Sequence, residues 1–294
     1  MNNNSDNQSV AKSNINWYPG HMAKTKREIS EKLNLIDVVF EVIDSRMPLS
    51  SKIIDIDSLI KDKPRILIMT KYDLCDKEET SHFIDYYKEL GYRVVCVDLI
   101  NNVGIQNIIS ESEKIKDSIN LTRQAKGLKP RNIRALIIGI PNAGKSTLIN
   151  RLVGRKSAGV GNKPGFTKQL SWIRINKDIE LLDTPGILWP KMSDQEQAHI
   201  LASFSSIKEE ILDSFDLTKF ILTKLNELYP EQLEKRYGKL TIDDDMIEAY
   251  EEIGRKRGAL KRGGICDYDR VANIILNDFR NGTFGPVTFD RLKK

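Results

Sequence analysis

The residues best suited to chemistry stand in the stretch Gly139-Ile140-Pro141-Asn142-Ala143-Gly144-Lys145-Ser146-Thr147. Gly139 and Gly144 allow a turn tight enough for successive backbone N–H groups to face inward, where a di- or triphosphate can be held. Ala143, Gly144 and Thr147 would contribute to that cradle, Lys145 would reach the β- and γ-phosphates, and the Ser146 hydroxyl would ligate Mg²⁺. A glycine-rich turn can imitate the pattern without binding anything. The context favours a phosphate loop: residues 134–138 read as a buried strand from their Ala-Leu-Ile-Ile core, and 148–152 read as a helix whose N-terminus faces the anion.

Three further stretches fit the same ligand. In Thr70-Lys71-Tyr72-Asp73 the carboxylate of Asp73 would accept from guanine N1–H and N2–H₂ while the Lys71 stem packs along the base. Adenine offers no such donor pair, and a site built around a required hydrogen bond rejects the wrong ligand by about 10⁴-fold or more. Thr167, in Pro164-Gly165-Phe166-Thr167, could ligate Mg²⁺ when a γ-phosphate is present. In Asp183-Thr184-Pro185-Gly186, which ends an apolar strand, Asp183 could hold Mg²⁺ through water and Gly186 could offer its N–H to the γ-phosphate.

These groups meet only if their strands end side by side. Strand character at 37–44, 65–69, 92–99, 134–138, 170–176 and 179–182, with helices at 78–90 and 104–118 between some of them, predicts an α/β fold with a mostly parallel sheet covered on both faces. Residues 23–35 have helical spacing with a basic polar face from Lys24, Lys26, Arg27 and Lys32. Beyond the last strand, 194–212, 217–229, 243–256 and 268–280 all show helical period, which predicts a smaller all-helical domain. The expected organisation is a tail at 1–13, rich in Asn and Ser and disordered, a nucleotide domain at 14–190 and a helical domain at 191–294.

Composition excludes some classes. With 294 residues, 40% of them hydrophobic, the chain can bury a large core. No apolar run approaches the roughly 18 residues needed to cross a bilayer, and no secretory or transit segment is recognisable at the N-terminus. Cys75, Cys96 and Cys266 are far apart, with neither a disulfide framework nor a zinc-ligand spacing, so reduced thiols and a cytoplasmic location are expected. The formal net charge of +5 is a weak pointer to a polyanion. The densest positive cluster, Arg255, Lys256, Arg257, Lys261 and Arg262, is a sharper one, against the plain alternative of a solvated turn.

At these motifs the chain resembles a translation-factor-class GTPase in permuted order, because the base motif at Thr70 to Asp73 precedes the phosphate loop, whereas Ras-type GTPases have it last. Trp17-Tyr18-Pro19-Gly20-His21-Met22-Ala23-Lys24, Asp44-Ser45-Arg46-Met47-Pro48 and Asp183-Thr184-Pro185-Gly186-Ile187-Leu188-Trp189-Pro190 narrow the match. They resemble the circularly permuted GTPase family of bacterial large-subunit assembly factors, over nearly the whole chain except its first dozen residues.

That resemblance implies a circularly permuted P-loop GTPase that converts GTP to GDP and phosphate with Mg²⁺ and K⁺. It further implies late maturation of the large (50S) ribosomal subunit precursor, contacts to rRNA and ribosomal proteins through the helical domain, no membrane, and a monomer when free. Asn142 matches the asparagine that helps hold K⁺ near the phosphates, and His21 matches the histidine proposed to place the attacking water. Ile187 stands where Ras-type enzymes carry the water-orienting glutamine, so hydrolysis is expected to be slow until the particle stimulates it. Thr70 replaces the commoner Asn, Ser45 stands where Ala is more usual, and Asp98 and Leu99 occupy the place of the loop that meets guanine O6. Two rivals stand beside this reading: a GTPase of tRNA modification or small-subunit maturation, and an RNA-binding module that keeps GTP as a structural ligand.

Overall fold

The computed structural model describes residues 20–54, 56–154, 170–186, 195–207 and 212–292, with the side chains of 20–23 excepted. The expected tail at 1–13, Thr167 and the side chain of His21 lie outside the described residues.

Six strands form one sheet: β1 (Val38–Asp44), β2 (Arg65–Thr70), β3 (Arg93–Cys96), β4 (Ile133–Gly139), β5 (Ser171–Arg174) and β6 (Ile179–Asp183), in the order β3-β2-β1-β4-β6-β5. All pair in parallel except β5, which runs antiparallel to β6 at the edge. β1 is buried along its whole length and β4 along nearly all of it, as their unbroken apolar runs require of strands covered on both faces. From β1 the chain steps outward through β2 to β3, then returns to β4 and steps the opposite way to β6. The loops leaving β1 and β4 therefore diverge, and this opens a crevice at the carboxyl ends of the strands. Gly139 makes the central pairing possible, since a Cβ there would lie 2.4 Å from the Val42 carbonyl oxygen.

The helices among the described residues are α1 (Gly20–Lys32), α2 (Ile56–Ile60), α3 (Lys77–Glu89), α4 (Ile105–Ala125), α5 (Lys145–Val153), α6 (Gln195–Ser203), α7 (Ser214–Leu228), α8 (Pro230–Tyr237), α9 (Ile247–Arg257) and α10 (Tyr268–Arg280). None is long and apolar enough to cross a membrane.

α2 and α8 have no counterpart in the sequence expectation, and α4 and α6 end away from their expected limits for identifiable reasons. α4 runs past 118 to Ala125 and closes on left-handed Gly127, whose N–H and that of Leu128 return to Gln124 and Arg123. α6 was expected to reach 212 but stops at Ser203, because Ser205 adopts φ +59° and the Ser205 and Ser206 N–H groups cap Ala202 and Leu201.

The helical part shares one apolar core with the sheet. A smaller cluster of Ile43, Leu67, Met69, Phe83 and Tyr87 lies between the sheet and α3, and Leu292 packs against it. The chain thus returns after α10 to the nucleotide half.

Candidate functional site

The stretches at 44–48, 70–73, 98–99, 139–147 and 183–186 all lie at the carboxyl ends of strands of the one sheet, β1, β2, β3, β4 and β6 in turn. Gly144 begins α5 with φ +93°, and a Cβ there would touch the Thr70 side chain at 3.4 Å. Gly186 needs glycine for a different reason, since a Cβ would come within 2.7 Å of the Pro141 nitrogen. The end of β6 therefore lies directly against the phosphate loop.

Thr70 holds that loop in place. Its hydroxyl lies 2.6 Å from the Ala143 carbonyl oxygen and 3.0 Å from that of Ile43, so it ties β1, β2 and the loop together. The departure from Asn thus keeps a side-chain hydrogen bond to the loop. Lys71, at φ +56°, donates to the Asn142 carbonyl at 2.8 Å and forms an ion pair with Asp44 at 2.8 Å. Asn142 is also left-handed, at φ +58°, and its side-chain Nδ2 donates to the Ser205 carbonyl at 2.6 Å. Three non-glycine residues in a conformation that costs of order 1 kcal/mol or more each thus converge on the loop. The last of them belongs to the helical part.

Asp73 lies beside them, half-buried, with its pKa raised by burial and by the nearby Asp98 and Asp44 charges. Asp98 is different: its Oδ1 accepts from the Ile100 and Asn101 N–H groups at 2.9 and 3.0 Å, and its Oδ2 from the Asn101 side chain at 2.6 Å. These bonds, that of the Asn101 backbone foremost, hold its carboxyl below the ordinary range. The Asp98 side chain thus shapes its own loop, and what Asp98 and Leu99 can offer a base is backbone.

The phosphate side carries the unsatisfied charge. Lys145 Nζ donates to the Gly139 and Ile140 carbonyls at 3.0 and 2.8 Å, and its burial pulls its pKa down to about 8, with Asp183 acting in the other direction. Asp183 is buried at the end of β6; burial pushes its carboxyl up to about 6 against the pull of Lys145. Its Oδ1 has no hydrogen-bond partner among the described residues. A buried carboxylate oxygen in that condition fits a hydrated divalent cation, and Ser146 lies at the start of α5 within the same crevice. Ala143 is buried and Thr147 half-buried beside it.

The motif Asp44-Ser45-Arg46 also has a structural use that the sequence left open. Arg46 clasps Asp44 through Nε to Oδ1 at 3.0 Å and Nη2 to Oδ2 at 2.8 Å, and its guanidinium lies 4.3 Å from the Phe204 ring centre. Burial opposes the charge of Asp44, but Arg46 and Lys71 outweigh it and hold the carboxyl well below the usual carboxylate range.

The basic cluster of the helical part is only partly open. Lys256 and Arg257 donate to the Tyr237 and Arg236 carbonyls, and Lys261 lies 3.7 Å from Asp267. Arg262 is exposed at the tip of a turn closed by the Leu260–Cys266 bridge.

Comparison with known proteins follows the same lines. Residues 134–253 match a family model described as 50S ribosome-binding GTPase. The chain is 45% identical over 277 residues to the ribosome biogenesis GTPase A of Priestia megaterium, covering 94% of this chain and 96% of that protein. Among solved structures, the GDP-bound YlqF of T. maritima aligns with a TM-score of 0.68 at 26% identity, over 91% of this chain and all of that one. The GNP-bound form of the same protein aligns at 0.65 and 26%, over 91% and 98%.

Proposed function

The chain belongs to the ribosome biogenesis GTPase A family and is a GTPase, and from that premise we propose that it binds rRNA of the large-subunit precursor and promotes its late maturation, its hydrolysis being stimulated by the particle. The observation that carries this reading is the hydrogen bond from Asn142 Nδ2 in the phosphate loop to Ser205 O in the helical part, 2.6 Å long. A particle that grips the helices can act on the loop that holds the phosphates without any intervening element.

In this reading 14–190 is the GTPase domain and 191–294 the RNA-binding domain, with Arg255, Lys261 and Arg262 as the exposed cations that meet RNA phosphates. Lys145 and the N–H groups of Ala143, Gly144, Ser146 and Thr147 hold the phosphates, and Asp73 with the Lys71 stem reads guanine. Mg²⁺ would be held by Ser146 and Thr167, with Asp183 reaching it through water, and would neutralise charge on the β- and γ-oxygens. K⁺ would be held near the phosphates with the help of Asn142. Gly186 donates its N–H to the γ-phosphate, and His21 orients the attacking water in place of the glutamine this chain lacks.

The test is GTP turnover by the whole protein with and without purified large subunits, in K⁺ and in Na⁺. Strong stimulation by large subunits, greater in K⁺, is expected. Stimulation by small subunits alone, or turnover indifferent to either subunit, would move the protein to another RNA partner. Absence of multiple turnovers on the particle would leave GTP as a structural ligand.

A further inference from the structure

The last described residues cross behind the loop that carries Asp73. That loop, 71–76, lies between the end of β2 and the start of α3, and its far side is secured by the C-terminal segment. The Val287 N–H donates to the Leu74 carbonyl at 3.1 Å, and the Thr288 hydroxyl accepts from the Asp76 N–H at 3.2 Å and lies 3.0 Å from that of Thr80. Tyr229, from the junction of α7 and α8, accepts from the Thr288 N–H at 2.9 Å and has its hydroxyl 3.1 Å from Asp76 Oδ2.

The same segment secures the loop after β1. The Phe289 N–H donates to the Arg46 carbonyl at 2.8 Å. Asp290, buried, takes the Leu49 and Ser50 N–H groups on Oδ2 at 2.7 and 2.8 Å and the Ser50 hydroxyl on Oδ1 at 2.6 Å. Arg46 in turn clasps Asp44, and Asp44 pairs with Lys71. The first route ends on the loop that carries Asp73 and the second on Lys71, the two residues that would face the base.

We propose that residues 287–290 position the guanine-reading motif, with Thr288 and Asp290 setting base selectivity through Asp73 and Lys71 from more than 200 residues away. A carboxylate that must meet N1–H and N2–H₂ together tolerates little displacement, because both bonds depend on distance and angle. The backbone of 74–76 is outside regular structure, so its position is set by what it is tied to, and three of its ties come from this segment. The proposal rests on the reading of Asp73 as the base-binding carboxylate.

The experiment measures GDP and IDP affinity of the full-length chain by calorimetry; IDP keeps N1–H and lacks the N2 amine. Wild type, Thr288→Val, Asp290→Asn, Thr288→Ser and Asp73→Ala are compared, with near-ultraviolet circular dichroism showing that each is folded. Thr288→Val and Asp290→Asn should each weaken GDP binding by about tenfold, the scale of one or two lost hydrogen bonds, and move the GDP-to-IDP ratio towards one. Thr288→Ser, which keeps the hydroxyl, should retain the wild-type ratio, and Asp73→Ala should abolish it. An equal loss for both nucleotides, or none, in the two segment variants overturns the proposal while leaving Asp73 as the base reader. A wild-type ratio in Asp73→Ala overturns that reading and the proposal with it. Should Thr288→Val and Asp290→Asn both fail to fold, Ser50→Ala, which deletes the hydroxyl bound to Asp290 Oδ1, takes their place: a GDP-to-IDP ratio moved towards one supports the proposal and an unchanged ratio overturns it.

Discussion

Asp44 and Asp183 end two strands of the same sheet, both buried, and their carboxyls are displaced in opposite directions. Asp44, on the base side, accepts from the Arg46 guanidinium twice and from its backbone N–H once and pairs with Lys71, and stays charged far into acid. Asp183, on the phosphate side, has an oxygen with no partner among the described residues, and burial drives its pKa up to about 6. The base side is complete within the protein and can hold its shape alone. The phosphate side holds charge that the fold does not compensate, so in the proposed reading a phosphate with its cation would relieve a cost already present there.

The largest expected effect breaks the complete side. Arg46→Ala leaves a buried Asp44 with Lys71 as its one remaining charge partner among the described residues and removes the stacking on Phe204. Breaking a buried pair in this way costs about 3–5 kcal/mol, read as a lower urea midpoint at pH 7. A loss below about 1 kcal/mol would mean that Lys71 alone satisfies Asp44, and the contrast between the two aspartates would fade.

On the phosphate side the sign reverses. Asp183 has a raised folded pKa, so the native state binds more protons than the unfolded chain between about pH 4 and 6. Its contribution to stability is full below that window and is lost as pH rises through it. Asp183→Asn should therefore stabilise the nucleotide-free protein by up to about 3 kcal/mol at pH 7 to 8, with the gain vanishing near pH 4. The same variant should lose GTP turnover in Mg²⁺ by about a hundredfold, on the scale of one lost charge-stabilising group. Urea titrations of variant and wild type at three pH values, beside a hydrolysis assay, check both halves; a destabilised variant at pH 8 would show that Asp183 has a partner in the free protein.

The two sides also differed in how far the sequence revealed them. The candidate phosphate side could be singled out because its pattern is local: Gly139, Gly144, Lys145 and Ser146 lie within eight residues and Asp183 and Gly186 within four, and the structure brings the two stretches together. The sheet was legible too, since buried parallel strands are continuous apolar runs, and β1, β2, β4 and β6 fall within a residue or two of their expected bounds. Three features were not. α8 was overlooked although Pro230 at its first turn is a recognisable start. The end of α6 depends on Ser205 in a left-handed conformation, which composition does not announce. The ties from Thr288 and Asp290 to Asp76 and Ser50 join residues 212 and 240 positions apart, and no local pattern encodes such a pairing. The same distance hid the purpose of Arg46, whose neighbour Phe204 is in the other half of the chain.

The smallest effect sharpens the comparison from within the base side, which has one exception to its completeness. Ser45 is buried after β1, its N–H donates to the Thr70 carbonyl and its carbonyl accepts from the Thr80 hydroxyl, yet its own hydroxyl has no partner among the described residues. A buried hydroxyl without a hydrogen bond costs about 1–3 kcal/mol of desolvation, while deleting it removes one packed atom. The two terms nearly offset, with the desolvation term larger, so Ser45→Ala should be stabilising by about 0.5–1 kcal/mol and leave GDP affinity unchanged. A urea midpoint lowered in the variant would place an ordered water at the hydroxyl, which needs two or more polar partners there. In that event the base side would contain a hydrated pocket next to Thr70, and its completeness would depend on solvent as the phosphate side depends on its ligand.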